Sequence, residues 1–197
     1  MDLKVLYEDN HLIAVFKPVG VLTQGDITGD RCLMDEVKSY LKEKYKKPGN
    51  VFLGLLHRLD RPASGIVLFA KTSKGASRLS EQFRNRTIEK TYHALVLGRP
   101  KQNKGNLVDF LKKGDTGKPK RAELDYEVIS SGGKYSLLKI NLKTGRFHQI
   151  RNQLELLGHP IVRQDRNICL CATSISFKLA TKDETKTITI PIPKWPW

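Results

Sequence analysis

The sequence predicts an α+β fold: a mixed, mainly antiparallel β-sheet with flanking helices. Three observations point there. Strand-type segments outnumber helical ones, and several are joined by connections too short for a parallel crossover. With 197 residues and 39% hydrophobic composition, the chain also has material for one substantial core and little room for two full-sized domains. One compact domain over residues 1–197 is the expectation.

Taken in order, Leu3 to Phe16 reads as two short strands about the polar Glu8-Asp9-Asn10 turn, closed by Lys17-Pro18-Val19-Gly20. Leu33, Met34, Val37, Leu41 and Tyr45 recur at three- and four-residue steps, which predicts an amphipathic helix from Cys32 to Tyr45, ending before Pro48-Gly49. The apolar run Ile66 to Ala70 is a short strand. Thr72-Ser73 then caps a helix that places Ala76, Leu79 and Phe83 on one face. From Ile88 to Leu97 the period falls to two, predicting a central strand. Arg99 to Lys120 is basic and glycine-rich, a candidate for mobile loops with a short strand at Leu107 to Leu111. Strands follow at Ala122 to Ile129 and Tyr135 to Asn141. Phe147, Ile150, Leu154 and Leu157 fit a helical stripe stopped by Gly158 and Pro160, and Thr173 to Ile192 reads as two final strands.

Lys and Arg outnumber Asp and Glu by 35 to 20, a formal charge of +15. A polyanionic partner follows, and charge alone does not rank RNA against DNA or an anionic membrane. The first apolar run, Leu12 to Phe16, is far too short to span a bilayer, so no membrane partner and a cytoplasmic location are expected. Cys32, Cys169 and Cys171 form no Cys-x-x-Cys pair and read as reduced thiols. There is no phosphate-binding loop, dinucleotide turn or His-Glu-x-x-His pair, and the five histidines lack metal-gathering spacing. A metal-dependent nuclease therefore has little to build on, and no metal is expected.

The densest polar segment is His57-Arg58-Leu59-Asp60-Arg61-Pro62-Ala63-Ser64-Gly65. A carboxylate between two arginines is, by itself, most often a loop ion pair. The segment nevertheless resembles the His-Arg-Leu-Asp-x-x-x-Ser-Gly signature of RluA-type pseudouridine synthases. Lys90-Thr91-Tyr92-His93-Ala94-Leu95-Val96 resembles that family's Lys-x-Tyr-x-Ala-Leu-Val strand. Gly145-Arg146-Phe147-His148-Gln149-Ile150-Arg151 resembles its Gly-Arg-x-His-Gln-Ile-Arg motif, and Lys17-Pro18-Val19-Gly20 its Lys-Pro-x-Gly turn. The four fall in the family's order across most of the chain.

The resemblance implies the pseudouridine synthase fold, present as the catalytic domain alone without a small N-terminal RNA-binding domain. It implies an enzyme that isomerises uridine in ribosomal or transfer RNA; that reaction involves no net redox change, so no cofactor is expected, and the expected state is a monomer. Asp60 would be the catalytic carboxylate, acting as nucleophile or as stabiliser of charge on the sugar. Arg151, one turn beyond Phe147 on the expected stripe, would be the cation paired with it, because an opposite charge favours the ionised acid. Tyr92 would stack on the target base, with Ile150 packing nearby. His57, Arg58, Arg61, Arg146 and His148 are the remaining candidates for RNA contact; Arg58 either fills the space left by a flipped uridine or meets a phosphate. Ala63, Phe147, Asn152, Gln153, Arg163 and Gln164 depart from the family pattern, so substrate preference does not carry over. The competing expectation is a non-catalytic RNA-binding protein that keeps the fold.

Overall fold

The computed structural model describes residues 3–114 and 116–195. The chain divides into two compact units, one of residues 1–88 with 175–190 and one of residues 89–174 with 191–197.

In the first unit β1 (Val5–Glu8) turns into β2 (Leu12–Lys17). The turn forms because Asp9 Oδ1 accepts from the backbone N–H groups of both His11 and Leu12, each at 2.7 Å, the local bonding that suits Asp to turns. The helix α1 (Leu33–Lys44) buries Leu33, Val37 and Leu41 and carries Asp35 and Glu36 in its first turn and Lys42 and Lys44 in its last, the arrangement its dipole favours. The two-residue β3 (Gly54–Leu55) and β2 both pair antiparallel with β4 (Ser64–Ala70), whose seven residues are all buried. Burial of both faces explains why β4 reads as an unbroken apolar run. Gly65, opposite Lys17 in this ladder, has φ 126°, a backbone that only glycine adopts without strain.

The helix α2 (Ser73–Asn85) starts at Thr72, whose hydroxyl accepts from the Gly75 N–H, and sets Leu79 into a core with Leu12, Ala14, Ile66, Leu68, Ile175 and Phe177. That core therefore draws on chain from both ends of the sequence.

The second unit is built on an antiparallel sheet in which three consecutive strands form a meander and the strand before them lies beside the third. β5 (Glu89–Leu97) pairs with β8 (Tyr135–Leu142), β8 with β7 (Lys120–Gly132), and β7 with β6 (Lys104–Leu111). The expected strand at Leu107 to Leu111 is thus longer, because all eight β6 residues find partners on β7; within the connecting turn Asp115 lies outside the described residues. The helix α3 (Gln149–Leu156) is shorter than the apolar stripe suggested: Phe147 lies outside it, and His148, at φ 49°, breaks the helical path. Its end matches expectation. Gly158 takes φ 84°, with its N–H on the Glu155 carbonyl and that of His159 on the Leu154 carbonyl, a glycine stop that caps the last turn.

A small hairpin, β9 (Arg163–Gln164) with β10 (Asn167–Ile168), precedes β11 (Leu170–Lys178). The last residues of β11, from Ile175, belong to the first unit, where β12 (Thr185–Thr189) pairs with it. Among the described residues, three helices and mainly antiparallel strands make the fold α+β, as the sequence predicts. Among the described residues no helix is long and apolar enough to cross a membrane, and the three cysteines are buried thiols.

Candidate active site

The His57–Gly65 segment forms the loop that leads from β3 into β4, and the first unit holds it tightly. Thr23, which is buried, grips the residue before Asp60 twice: its hydroxyl donates to the Leu59 carbonyl at 2.8 Å and accepts from the Leu59 N–H at 3.1 Å. The residue after Asp60 is gripped by Lys17. That lysine is wholly buried, and its ammonium donates to the carbonyls of Pro18, Val21 and Arg61 at 3.1, 2.7 and 3.2 Å. Asp60 itself closes a turn, its carbonyl accepting from the Ala63 N–H at 3.1 Å.

Burial is the largest influence on Lys17 and draws its pKa down from 10.5 to about 8; the Asp60 carboxylate opposes that and the Arg61 guanidinium adds to it. Asp60 and Lys17 are thus electrostatic neighbours. Neither Lys17 nor Thr23 is among the site residues expected from the sequence. The Lys-Pro-x-Gly turn signalled Lys17 as part of a motif, whereas nothing in the residue pattern signalled Thr23.

The flanking residues divide by environment. Arg58 is exposed and therefore available to an external phosphate. Arg61 is half-exposed and committed within the unit: its Nε donates to the Gly20 carbonyl at 3.0 Å and its guanidinium pairs with Asp30 at 2.8 Å. His57 faces inward, its Nε2 accepting from the Leu68 N–H at 3.0 Å while its ring lies 5.3 Å from that of Phe83. An acceptor Nε2 is unprotonated, so in this state His57 is a neutral bracket that continues the β3 edge along β4.

In the second unit Tyr92 lies on β5 opposite Ile140 and is buried. Two positions before it, Lys90 has its pKa lowered by burial. His93 points to the other face, with its Nδ1 2.8 Å from the Thr173 hydroxyl; burial and then Lys139 lower its pKa.

The third motif folds as a turn followed by the first turn of α3. Gln149 organises it: its Oε1 accepts from the Thr144 hydroxyl at 2.7 Å and the Arg146 N–H at 2.9 Å, and its Nε2 donates to Gln153 Oε1 at 2.9 Å and to the Glu123 carbonyl at 3.1 Å. Gln153 extends the network to the Asp109 carboxylate at 2.6 Å and the Leu107 carbonyl at 3.2 Å. Both amides are buried and satisfied, the condition under which a buried polar network fixes one geometry. Arg146 donates through Nε to the Arg121 carbonyl at 2.9 Å, and Ile150 is buried.

Arg151 occupies the third position of α3. A cation in a first helical turn opposes the helix dipole, so helix stability does not account for it. Its expected place one turn beyond Phe147 on a common helical face is corrected, because Phe147 precedes the helix. The first unit thus gathers His57, Arg58, Asp60 and Arg61 on one loop. The second carries Tyr92 on β5 and Arg146, His148, Ile150 and Arg151 around the start of α3. Among the described residues no three His, Cys, Asp or Glu side chains form a metal-holding group.

An α+β unit pair with these motif-bearing loops matches a known family model: residues 11–156 fit that of RNA pseudouridylate synthase, and the chain belongs to this family. Among curated relatives it is 29% identical to ribosomal large subunit pseudouridine synthase C of Vibrio parahaemolyticus, over 98% of this chain and 66% of that protein. It is 35% identical to tRNA pseudouridine synthase C of Vibrio cholerae, over 81% of this chain and 72% of that protein. The chain spans about half to two thirds of the length of the ribosomal-subunit synthases it matches. Human RNA pseudouridylate synthase domain containing 4 shares the fold, with a TM-score of 0.81 at 22% identity, over 97% of this chain and 89% of that one. The expected RluA-type resemblance and α+β class are borne out.

Proposed function

We propose that the chain is an RNA pseudouridine synthase that acts on ribosomal or transfer RNA as a single catalytic domain, with Asp60 as its catalytic carboxylate. The observation that carries this reading is that the family match, residues 11–156, contains all four motifs. The charge of +15 suits an RNA substrate.

The reaction breaks the bond from ribose C1′ to ring N1, turns the base and joins C1′ to C5; C5 then gives up its proton and N1 takes one up. Atoms and electrons balance within the nucleotide, so no cofactor or metal is invoked. Asp60 acts on the nucleotide in its ionised form, and Arg151 supplies the positive charge that favours that form and orients it. Tyr92 stacks on the base, with Ile150 as apolar backing. Flipping the uridine out of its stack costs a few kcal/mol, offset by contacts for which Arg58, Arg146 and His148 are the candidates; His57 and Arg61 hold the Asp60 loop in shape.

The test is to incubate the protein with ribosomal and transfer RNA and map pseudouridine chemically, with Asp60→Asn alongside. The expected outcome is product from the wild-type protein and at least about a thousandfold less from the variant, with RNA binding retained. Equal product from both defeats the assignment of Asp60. Binding without product from the wild-type protein favours the non-catalytic alternative.

A further inference from the structure

Phe147 is a large aromatic side chain left 46% exposed, and the turn that carries it is built at a cost. The next residue, His148, sits in the left-handed region at φ 49°, where a side chain crowds the backbone; such strain persists only when its surroundings impose it. Here the imposition is visible. The Arg146 N–H donates to the buried Gln149 Oε1 at 2.9 Å, and the Gln149 N–H donates back to the Arg146 carbonyl at 3.2 Å. The result is that the rings of Phe147 and His148 lie flat on each other, with centroids 3.7 Å apart and planes 25° apart. Core packing does not explain a stacked pair whose Phe147 ring stands half in water.

Its surroundings are cationic. The connection from β6 to β7, residues 112–119, holds Lys112, Lys113 and Lys118, and β7 opens with Lys120 and Arg121, the last paired with Glu123; all five cations are exposed. The Lys113 ammonium lies 5.9 Å from the centre of the Phe147 ring, the outer limit of a cation–π contact, so it holds the ring face only weakly. Arg146 is tied to the Arg121 carbonyl, and Arg121 faces Phe110, itself exposed, across the β6–β7 ladder. Rings and cations together suit a strand that offers both base faces and phosphates. A duplex hides its base faces, whereas an unpaired strand does not.

We propose that the Phe147–His148 pair is a stacking platform for an unpaired base of RNA, with the lysines of the β6–β7 connection taking the neighbouring phosphates. This rests on the reading of the chain as an enzyme that acts on RNA, and adds where single-stranded RNA lies on the second unit. Phe147 is a specificity-determining residue, separate from the chemistry assigned to Asp60.

The experiment measures binding of a short unstructured oligoribonucleotide carrying a fluorescent purine analogue whose emission is quenched by stacking. Phe147→Ser is expected to weaken binding roughly fivefold to a hundredfold and to abolish quenching while leaving the melting temperature unchanged; Phe147→Trp retains both binding and quenching. Lys113→Ala and Lys118→Ala each lower the salt dependence by about one released ion. Binding by Phe147→Ser within about twofold of the wild-type protein overturns the platform, as does equal affinity for a duplex of the same length. Pseudouridine formation by the wild-type protein is scored in parallel. Phe147-dependent binding without product overturns the enzymatic reading alone, and product with Phe147-independent binding overturns the platform alone.

Discussion

Where the Asp60 loop is braced by a buried ammonium, the turn before α3 is braced by two buried amides. Lys17 fastens its loop through a group that can lose a proton. Gln149 and Gln153 fasten theirs through groups that cannot. The difference teaches that two loops of one chain can be equally well hydrogen-bonded and yet answer differently to pH.

The comparison is broken most severely at Gln149. Gln149→Leu strips partners from Thr144, Arg146, Glu123 and Gln153 together and is expected to cost about 4 kcal/mol in chemical unfolding, equally at all pH values between 6 and 9 or so.

The second test is pH itself. Lys17 titrates near 8 in the folded protein and near 10.5 when exposed. Between those values the unfolded chain holds a proton that the folded chain has released, so raising the pH across that window favours folding. Below it the cost of burying the charge is constant. Relative to Lys17→Met, the wild-type protein should therefore gain up to about 3 kcal/mol as pH rises from 8 to 10.5, read from unfolding midpoints; a constant difference would contradict the lowering of the Lys17 pKa by burial.

Gln153→Leu, which spares the bonds of Gln149 to Thr144 and Arg146, should cost about 2 kcal/mol, again without pH dependence. Arg61→Ala should cost less than about 1 kcal/mol, because its pair with Asp30 is half in water; thermal melting with and without added salt measures it.

Much of this was legible in the residues. The helix α2 declares itself through the Thr72 cap and the spacing of Ala76, Leu79 and Phe83, and the β1–β2 turn through Asp9. The strand β6 is only half visible in the sequence because its residues alternate between exposed and half-exposed rather than between polar and apolar; pairing with β7, not burial, makes it a strand. Phe147 sits at a helical interval from Ile150, so periodicity drew it into α3, and only the backbone of His148 shows otherwise. The strands β3, β9 and β10 span two residues each, too short for any period to register. Nothing in the sequence marks Lys17 as a brace, because lysine is seldom buried, and a lone Thr23 says nothing about the carbonyl it will meet. The motifs located the loops; the hydrogen bonds reveal what keeps them in place.

The first unit is discontinuous, taking residues 1–88 from the start of the chain and 175–190 from its end, and Ile175, Phe177 and Ile188 complete the apolar cluster around Leu12, Ile66 and Leu79. During vectorial synthesis the early strands leave the ribosome with that cluster unfinished, and at about 5–20 residues per second they wait several seconds for the segment that closes it. Over that interval β4, buried on both faces in the finished fold, has part of its apolar cover still unmade, the kind of exposed surface that invites aggregation.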